Sequence, residues 1–231
     1  SSLENYDEVY RACAFFAFKY GRIDWLESNN EYWLLRDAQL RTDFNVTSGL
    51  RNDQIDGIKY KSKMKEYYAK AGVPTARYHL VSTKEEGEKF IKEVGYPVVA
   101  KPDNGVGASH NFKIKNDDEL VDFYGQRHEG VVYIMEEFVN GIVNSYDAII
   151  DSNGEIMFET GNVSLGSIMD IVNERQNSLF YILKELPEET RKAGRDTVKA
   201  FGVKSRFVHF EFFRLLQDQE GLGKKDDIMA L

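Results

Sequence analysis

The turn Asp151-Ser152-Asn153-Gly154 constrains this chain more than any other segment. It separates two runs of apolar and β-branched residues and joins them as a β-hairpin, Val143 to Ile150 with Glu155 to Thr160. The same reading predicts strands at Tyr78 to Val81, Val98 to Lys101, Phe112 to Ile114, Val131 to Glu136, Phe207 to Phe213 and Ile228 to Leu231. Helices are expected between them. Thr83-Lys84-Glu85-Glu86 is a capping-box pattern, followed by Gly87, Phe90, Ile91 and Val94 on one face and broken by Gly95-Tyr96-Pro97. Asp117 to Gly125 reads as a short helix. Pro187 stands at a helix N1 position, with Glu188 and Glu189 in the first turn and Gly202 at the end. From Asp53 to Ala71 the chain reads as one helix closed by Gly72 and Pro74. The pattern is α+β, a sheet region flanked by helices.

Upstream, Tyr6, Val9, Tyr10, Cys13, Ala17 and Tyr20 recur at helical spacing and stop at Gly21. Ile23 to Leu26 fits a short buried strand, and Glu31 to Phe44 a helix. That order resembles the later part of a small α/β domain. The expected division is a partial α/β unit at residues 1–50 and an α+β domain at 51–231. The chain starts at Ser1 rather than Met and stops at Leu231 inside an expected strand, so both ends read as cut.

Composition narrows the function classes. Apolar residues are 42% of 231, enough for a core. The net charge of -8 and the lack of a long Lys/Arg block argue against a nucleic-acid partner. No run of 18 apolar residues suggests a membrane span, and no signal peptide is visible. A single cysteine, Cys13, excludes an internal disulfide and fits a reducing, cytoplasmic setting. Gly-x-Ser-x-Gly, His-Glu-x-x-His and Cys-x-x-Cys are all missing.

Four segments carry chemistry. In Lys101-Pro102-Asp103-Asn104-Gly105-Val106-Gly107-Ala108-Ser109 a strand lysine enters a glycine loop. Such glycines let backbone N–H groups approach phosphate, and the lysine adds a point charge. A hairpin loop with a surface lysine explains this segment equally well. Tyr133 to Val139 runs from an apolar strand through Glu136 and Glu137; alone, it reads as a strand end with two solvated carboxylates. If Glu136 were buried it would need a donor such as an adenine amino group or a lysine. In Val208-His209-Phe210-Glu211-Phe212-Phe213, alternation puts His209, Glu211 and Phe213 on one face. A carboxylate in so apolar a strand calls for a cation, either Mg²⁺ or an arginine such as Arg206 or Arg214. His209 reads as a packing or hydrogen-bonding residue rather than a ligand. The run Lys59-Tyr60-Lys61-Ser62-Lys63-Met64-Lys65 reads, on composition alone, as a solvated basic helix face.

The order of these four segments resembles the ATP-grasp superfamily, over roughly Lys59 to Leu231. The resemblance implies two α+β subdomains holding ATP between them, after a partial pre-ATP-grasp domain. It implies that Lys61 and Lys101 meet the nucleotide and that Gly105, Gly107, Ala108 and Ser109 belong to the loop over the phosphates. Glu136 would meet the adenine amino group, Glu137 and Val139 would offer backbone groups to the adenine edge, and Phe213 would pack near the base. Glu211 matches the first magnesium carboxylate, with Mn²⁺ as a substitute metal. Two departures stand out. Val143 occupies the place of the usual ribose-contacting Glu, leaving Asn144 or another group for that task. The expected Glu-x-Asn metal motif would begin where the chain stops.

The implied activity is that of a ligase: ATP activates a small-molecule carboxylate as an acylphosphate for attack by an amine or thiol. The alternatives are a nucleotide-binding module or fragment without catalysis, and bicarbonate activation of the biotin-carboxylase kind. Asp170, Asn173, Glu174 and Arg175 are expected to flank the substrate pocket. Homodimers are common in the superfamily.

Overall fold

The structure is a computed structural model and describes residues 2–104, 110–166 and 177–231. Helix α1 (Tyr6–Tyr20) starts where the Asn5 side chain accepts the Glu8 N–H at 3.3 Å, and it buries none of its residues. A single 3₁₀ turn (Glu31–Trp33) leads into α2 (Leu34–Asp43). Arg41 of α2 is fully buried. It donates to the carbonyls of Leu26 and Leu50, both at 2.9 Å, and to the Glu27 carboxylate at 2.8 Å. These bonds satisfy its fork of donors and fix the loop of residues 26–30.

Helix α3 (Asp56–Lys59) ends at Tyr60, whose extended backbone separates it from α4 (Lys61–Ala71). The exposed first-turn donors of α4 are met from far away in sequence. The Asp103 carbonyl accepts the Lys61 N–H, and its carboxylate accepts both the Ser62 N–H and hydroxyl, each at 2.8 Å. Asp103 therefore caps α4 and ties it to the mouth of the glycine loop.

The small sheet has strand order β1-β4-β2-β3, with all pairs antiparallel: β1 (Tyr78–Leu80), β2 (Val98–Pro102), β3 (Phe112–Ile114) and β4 (Tyr133–Glu137). Helices α5 (Lys84–Val94) and α6 (Asp117–Gln126) cover one face, where Phe90, Ile91, Leu120 and Phe123 pack on Val98, Ala100 and Met135. The opposite face is left for Lys101 and Glu136.

The large sheet is centred on β5 (Gly141–Ile150) and β9 (Arg206–Leu215), paired along their full length. Its order is β10 (Ile228–Ala230), β9, β5, β7 (Asn162–Ser164), β8 (Phe180–Ile182), with β6 (Ile156–Thr160) also on β5. Helices α4 and α7 (Glu188–Phe201) cover one face and bury Tyr68, Tyr146, Phe201 and Phe212 together. Gly194 of α7 lies so close to the Tyr146 ring that a Cβ would fall 2.2 Å from its Cγ. Gly194→Ala is expected to destabilise the fold by about 1–3 kcal/mol through overpacking, read as a lower urea midpoint.

Several expectations need correction. Ile23 to Leu26 is not a strand, because no described strand lies alongside to supply a ladder. The helix expected over Asp53 to Ala71 is broken at Tyr60, where Asp103 starts a new one. Pro187 is the cap preceding α7 rather than its first residue. The hairpin at Asp151 to Gly154 forms, with Gly154 at φ 91°.

Candidate active site

The chemistry gathers on the uncovered face of the small sheet. Glu136 pairs with Val99 in register, so Glu136 and Lys101 project to the same side. Lys61 and Lys65, one turn apart on α4, face them. Glu136 is buried, and its two oxygens take Lys65 Nζ at 2.7 Å and Lys101 Nζ at 2.6 Å. Burial alone would raise its pKa. The two ammonium groups outweigh that and pull it down to about 2. Lys65 also donates to the Ala76 carbonyl at 3.1 Å. The solvated readings are overturned on both sides: Glu136, Glu137, Lys59 and Lys65 are all buried. Ion pairing of Glu136, Glu137 and Lys65 removes the cost that would have kept them in water.

Lys61 Nζ donates to the Pro102 carbonyl at 3.0 Å, at the entrance to the glycine loop. Its pKa is lowered to about 8, first by burial and then by the nearby Lys101 charge. The charges of Glu31, Glu136 and Asp103 pull the other way. Phosphate beside Lys61 would favour its ammonium form. Nucleotide binding between pH 8 and 9 is therefore expected to take up protons. Calorimetry in buffers of different ionisation enthalpy measures this uptake, which should shrink below pH 7.

Glu137 points to the other face and accepts three bonds from Arg77: the backbone N–H and Nη2, both at 2.6 Å, and Nε at 2.9 Å. Beyond it, Phe138 to Asn140 forms the crossing into the large sheet. Gln219 braces this crossing, accepting the Asn140 N–H at 2.7 Å and donating to the Phe138 carbonyl at 3.2 Å. Between those anchors, neither backbone group of Val139 has a hydrogen-bond partner among the described residues. The Val139 side chain packs with Ala76, Leu215 and Met229, and Phe213 lies against that cluster. An apolar shelf beside an unengaged backbone edge suits a flat heterocycle with polar edges. Lys113, whose ammonium stands 4.1 Å from the Phe138 ring centroid, adds another cation nearby.

Glu211 and His209 lie on the face of β9 opposite the core, as the alternation predicts. Neither Arg206 nor Arg214 pairs with Glu211. Arg206 binds Glu27, and Arg214 reaches Thr190 Oγ1 at 3.4 Å. The neighbour of Glu211 is His209, with Nε2 at 3.7 Å, while His209 Nδ1 bonds Asp147 across the β5–β9 pair. The carboxylates of Asp147 and Glu211 push the imidazole pKa up to about 10. Val143 is buried, and the Asn144 side chain donates to the Ile142 carbonyl at 2.8 Å.

The structure thus brings Lys61, Lys101 and Glu136 together and sets Val139 and Phe213 beside each other. Gly105, Gly107, Ala108, Ser109, Asp170, Asn173, Glu174 and Arg175 lie outside the described residues. Sequence reasoning missed Lys65, Arg77, Asp103 and Asp147. Only the (i, i+4) spacing of Lys61 and Lys65 could have signalled one of them.

Comparison with known proteins follows this geometry. Residues 60–157 match the family model described as carbamoyl-phosphate synthase L chain, ATP binding domain. A carbamoyl phosphate synthase large chain of Agathobacter rectalis is 32% identical over 130 residues, covering 52% of this chain and 12% of that protein. The chloroplastic phosphoribosylamine–glycine ligase of Arabidopsis thaliana is 29% identical over 109 residues, covering 43% and 20%. Among solved structures, an L-amino acid ligase from Bacillus licheniformis superposes with a TM-score of 0.69 at 19% identity, over 98% of this chain and 53% of that one. The biotin carboxylase domain of Hydrogenobacter thermophilus 2-oxoglutarate carboxylase, in complex with MgADP and bicarbonate, gives 0.67 at 20%, over 98% and 51%. The chain spans about half of these solved structures and a small part of the curated relatives. It has the ATP-grasp fold, and residues 60–157 are similar to the ATP-binding domain that the family model describes. No helix among the described residues is long and apolar enough to cross a membrane.

Proposed function

We propose that this chain supplies the nucleotide site of a ligase that activates a carboxylate with ATP and Mg²⁺. The observation that carries this reading is the set of lysines 61, 65 and 101 around Glu136, next to the Val139–Phe213 shelf. The lysines of this set give a triphosphate its counter-charge, and the shelf takes the base. Residues 1–50 then belong to the preceding domain and residues 51–231 to the ATP-grasp domain.

The residues present fit the metal. Mg²⁺ prefers oxygen ligands and is commonly held by one or two carboxylates together with substrate phosphates. Glu211 is half-buried and oxygen-bearing, with no arginine on it, and would be its protein ligand. Bound there, the ion would neutralise phosphate charge. The protein's own part is positioning and electrostatics. A substrate carboxylate oxygen attacks the γ-phosphorus, and ADP leaves. An amine or thiol then attacks the acyl carbon, losing its proton, and inorganic phosphate leaves.

Hydroxylamine trapping tests this scheme. With ATP, Mg²⁺ and a panel of carboxylic acids, the parent protein should form a hydroxamate with a subset of the panel. Bicarbonate-dependent ADP release without hydroxamate would instead identify bicarbonate as the donor, the chemistry named in the biotin carboxylase neighbour. Tight ATP binding with no turnover on any acid would favour a non-catalytic module.

A further inference from the structure

Helix α4 starts without help from its own sequence. Its N-cap residue, Tyr60, makes no side-chain cap, and its first turn holds no acid. Lys61 and Lys63 stand there instead, at the helix end where the backbone dipole disfavours cations. The cap comes from Asp103, a buried residue just past the end of β2. Its carbonyl takes the Lys61 N–H, and its carboxylate takes the Ser62 N–H and hydroxyl. Asp103 is itself held, its N–H donating to the Val132 carbonyl at 2.9 Å.

This contact joins the two walls of the site. Helix α4 packs on the large sheet through Tyr68, which meets Tyr146 and Phe212. Asp103 instead continues β2 of the small sheet. The Lys61 backbone is bonded to Asp103, and its ammonium to the Pro102 carbonyl, next in sequence to Lys101. Two like charges, one from each wall, are thereby held near each other. Lys101 works against the Lys61 ammonium, and the charge of Asp103 supports it.

Resting on the ligase reading above, we infer that Asp103 is a positioning residue for the nucleotide: it fixes Lys61 beside Lys101 before the phosphates arrive. Without its carboxylate, the first turn of α4 loses its cap and frays. The two lysines then drift apart, and ATP binding must supply the work of bringing them together. The ion pair of Lys65 with Glu136, one turn further along α4, keeps the rest of the helix in place. The effect is therefore confined to the first turn and acts through Lys61.

The test is calorimetric titration of the parent protein with a non-hydrolysable ATP analogue and Mg²⁺ at about pH 6.5, below the Lys61 pKa of about 8. Asp103→Ala should weaken binding by about tenfold, as expected when one charged hydrogen bond to phosphate is misplaced. Asp103→Asn, whose amide oxygen still accepts the Ser62 N–H, should bind as wild type does. In a Lys61→Ala background, Asp103→Ala should cause no further loss. Far-UV circular dichroism reports whether each variant is folded. A folded Asp103→Ala that melts at a lower temperature yet binds normally is missing a helix cap and nothing more, which overturns the inference. An equal loss in the Lys61→Ala background overturns it as well. If Asp103→Ala does not fold, Ser62→Ala removes one of the two carboxylate bonds and should lose about threefold; an unchanged affinity there overturns the inference. Each of these failures leaves the nucleotide reading standing. Failure of the wild-type protein to bind the analogue removes the ligase reading itself.

Discussion

Glu136→Ala is expected to cost the fold about 3–5 kcal/mol, the range for removing one partner from a buried ion pair. Lys65 and Lys101, with side chains 8% and 14% exposed, would keep two ammonium groups against a cavity with no counter-charge. The acid limb gives an independent check. The folded-state pKa of Glu136 lies near 2, below the ordinary value of 4.5. Its contribution is therefore complete above about pH 4.5 and is lost as pH falls toward 2. Urea unfolding at pH 7 should show the full gap between wild type and variant, and the gap should narrow at pH 3. A gap below about 1 kcal/mol at pH 7 would mean that the pair is solvated, as for an exposed salt bridge.

Lys101→Ala is expected to weaken nucleotide binding by about 10–100-fold, the worth of one charged hydrogen bond to phosphate. Stability should fall less than in Glu136→Ala, because Glu136 keeps Lys65. The two residues are each other's partner, so their substitutions should not add: the double variant removes one ammonium together with its carboxylate. The measurement is titration of Mg²⁺-ATP into each folded variant. An unchanged affinity in Lys101→Ala would remove Lys101 from the nucleotide site and leave it as a structural counter-ion.

This double role explains what the sequence could and could not show. Strands such as Phe207 to Phe213 were legible because alternation is a local property, and the face bearing His209 and Glu211 followed from it. The order of Lys61, Lys101, Glu136 and Glu211 was legible through resemblance. Partners were not. Glu136 next to Glu137 looks like a solvated strand end until β1 and β2 bring Arg77 and Lys101 to opposite sides of β4. Lys65 looks like part of a wet helix face until α4 packs over the site and pairs it with Glu136. The break at Tyr60 depends on Asp103, 43 positions downstream, and no local propensity at Tyr60 marks it. Strands β7 and β8, three residues each, are too short to show a period.

The central claim is that the face carrying Lys61, Lys101 and Glu136, with the Val139–Phe213 shelf, holds ATP. Calorimetric titration of ATP into the chain, with and without Mg²⁺, tests it most directly. The account predicts saturable binding of one ATP that tightens with Mg²⁺ and is competed by ADP. A folded chain that takes up no ATP in either condition would contradict it.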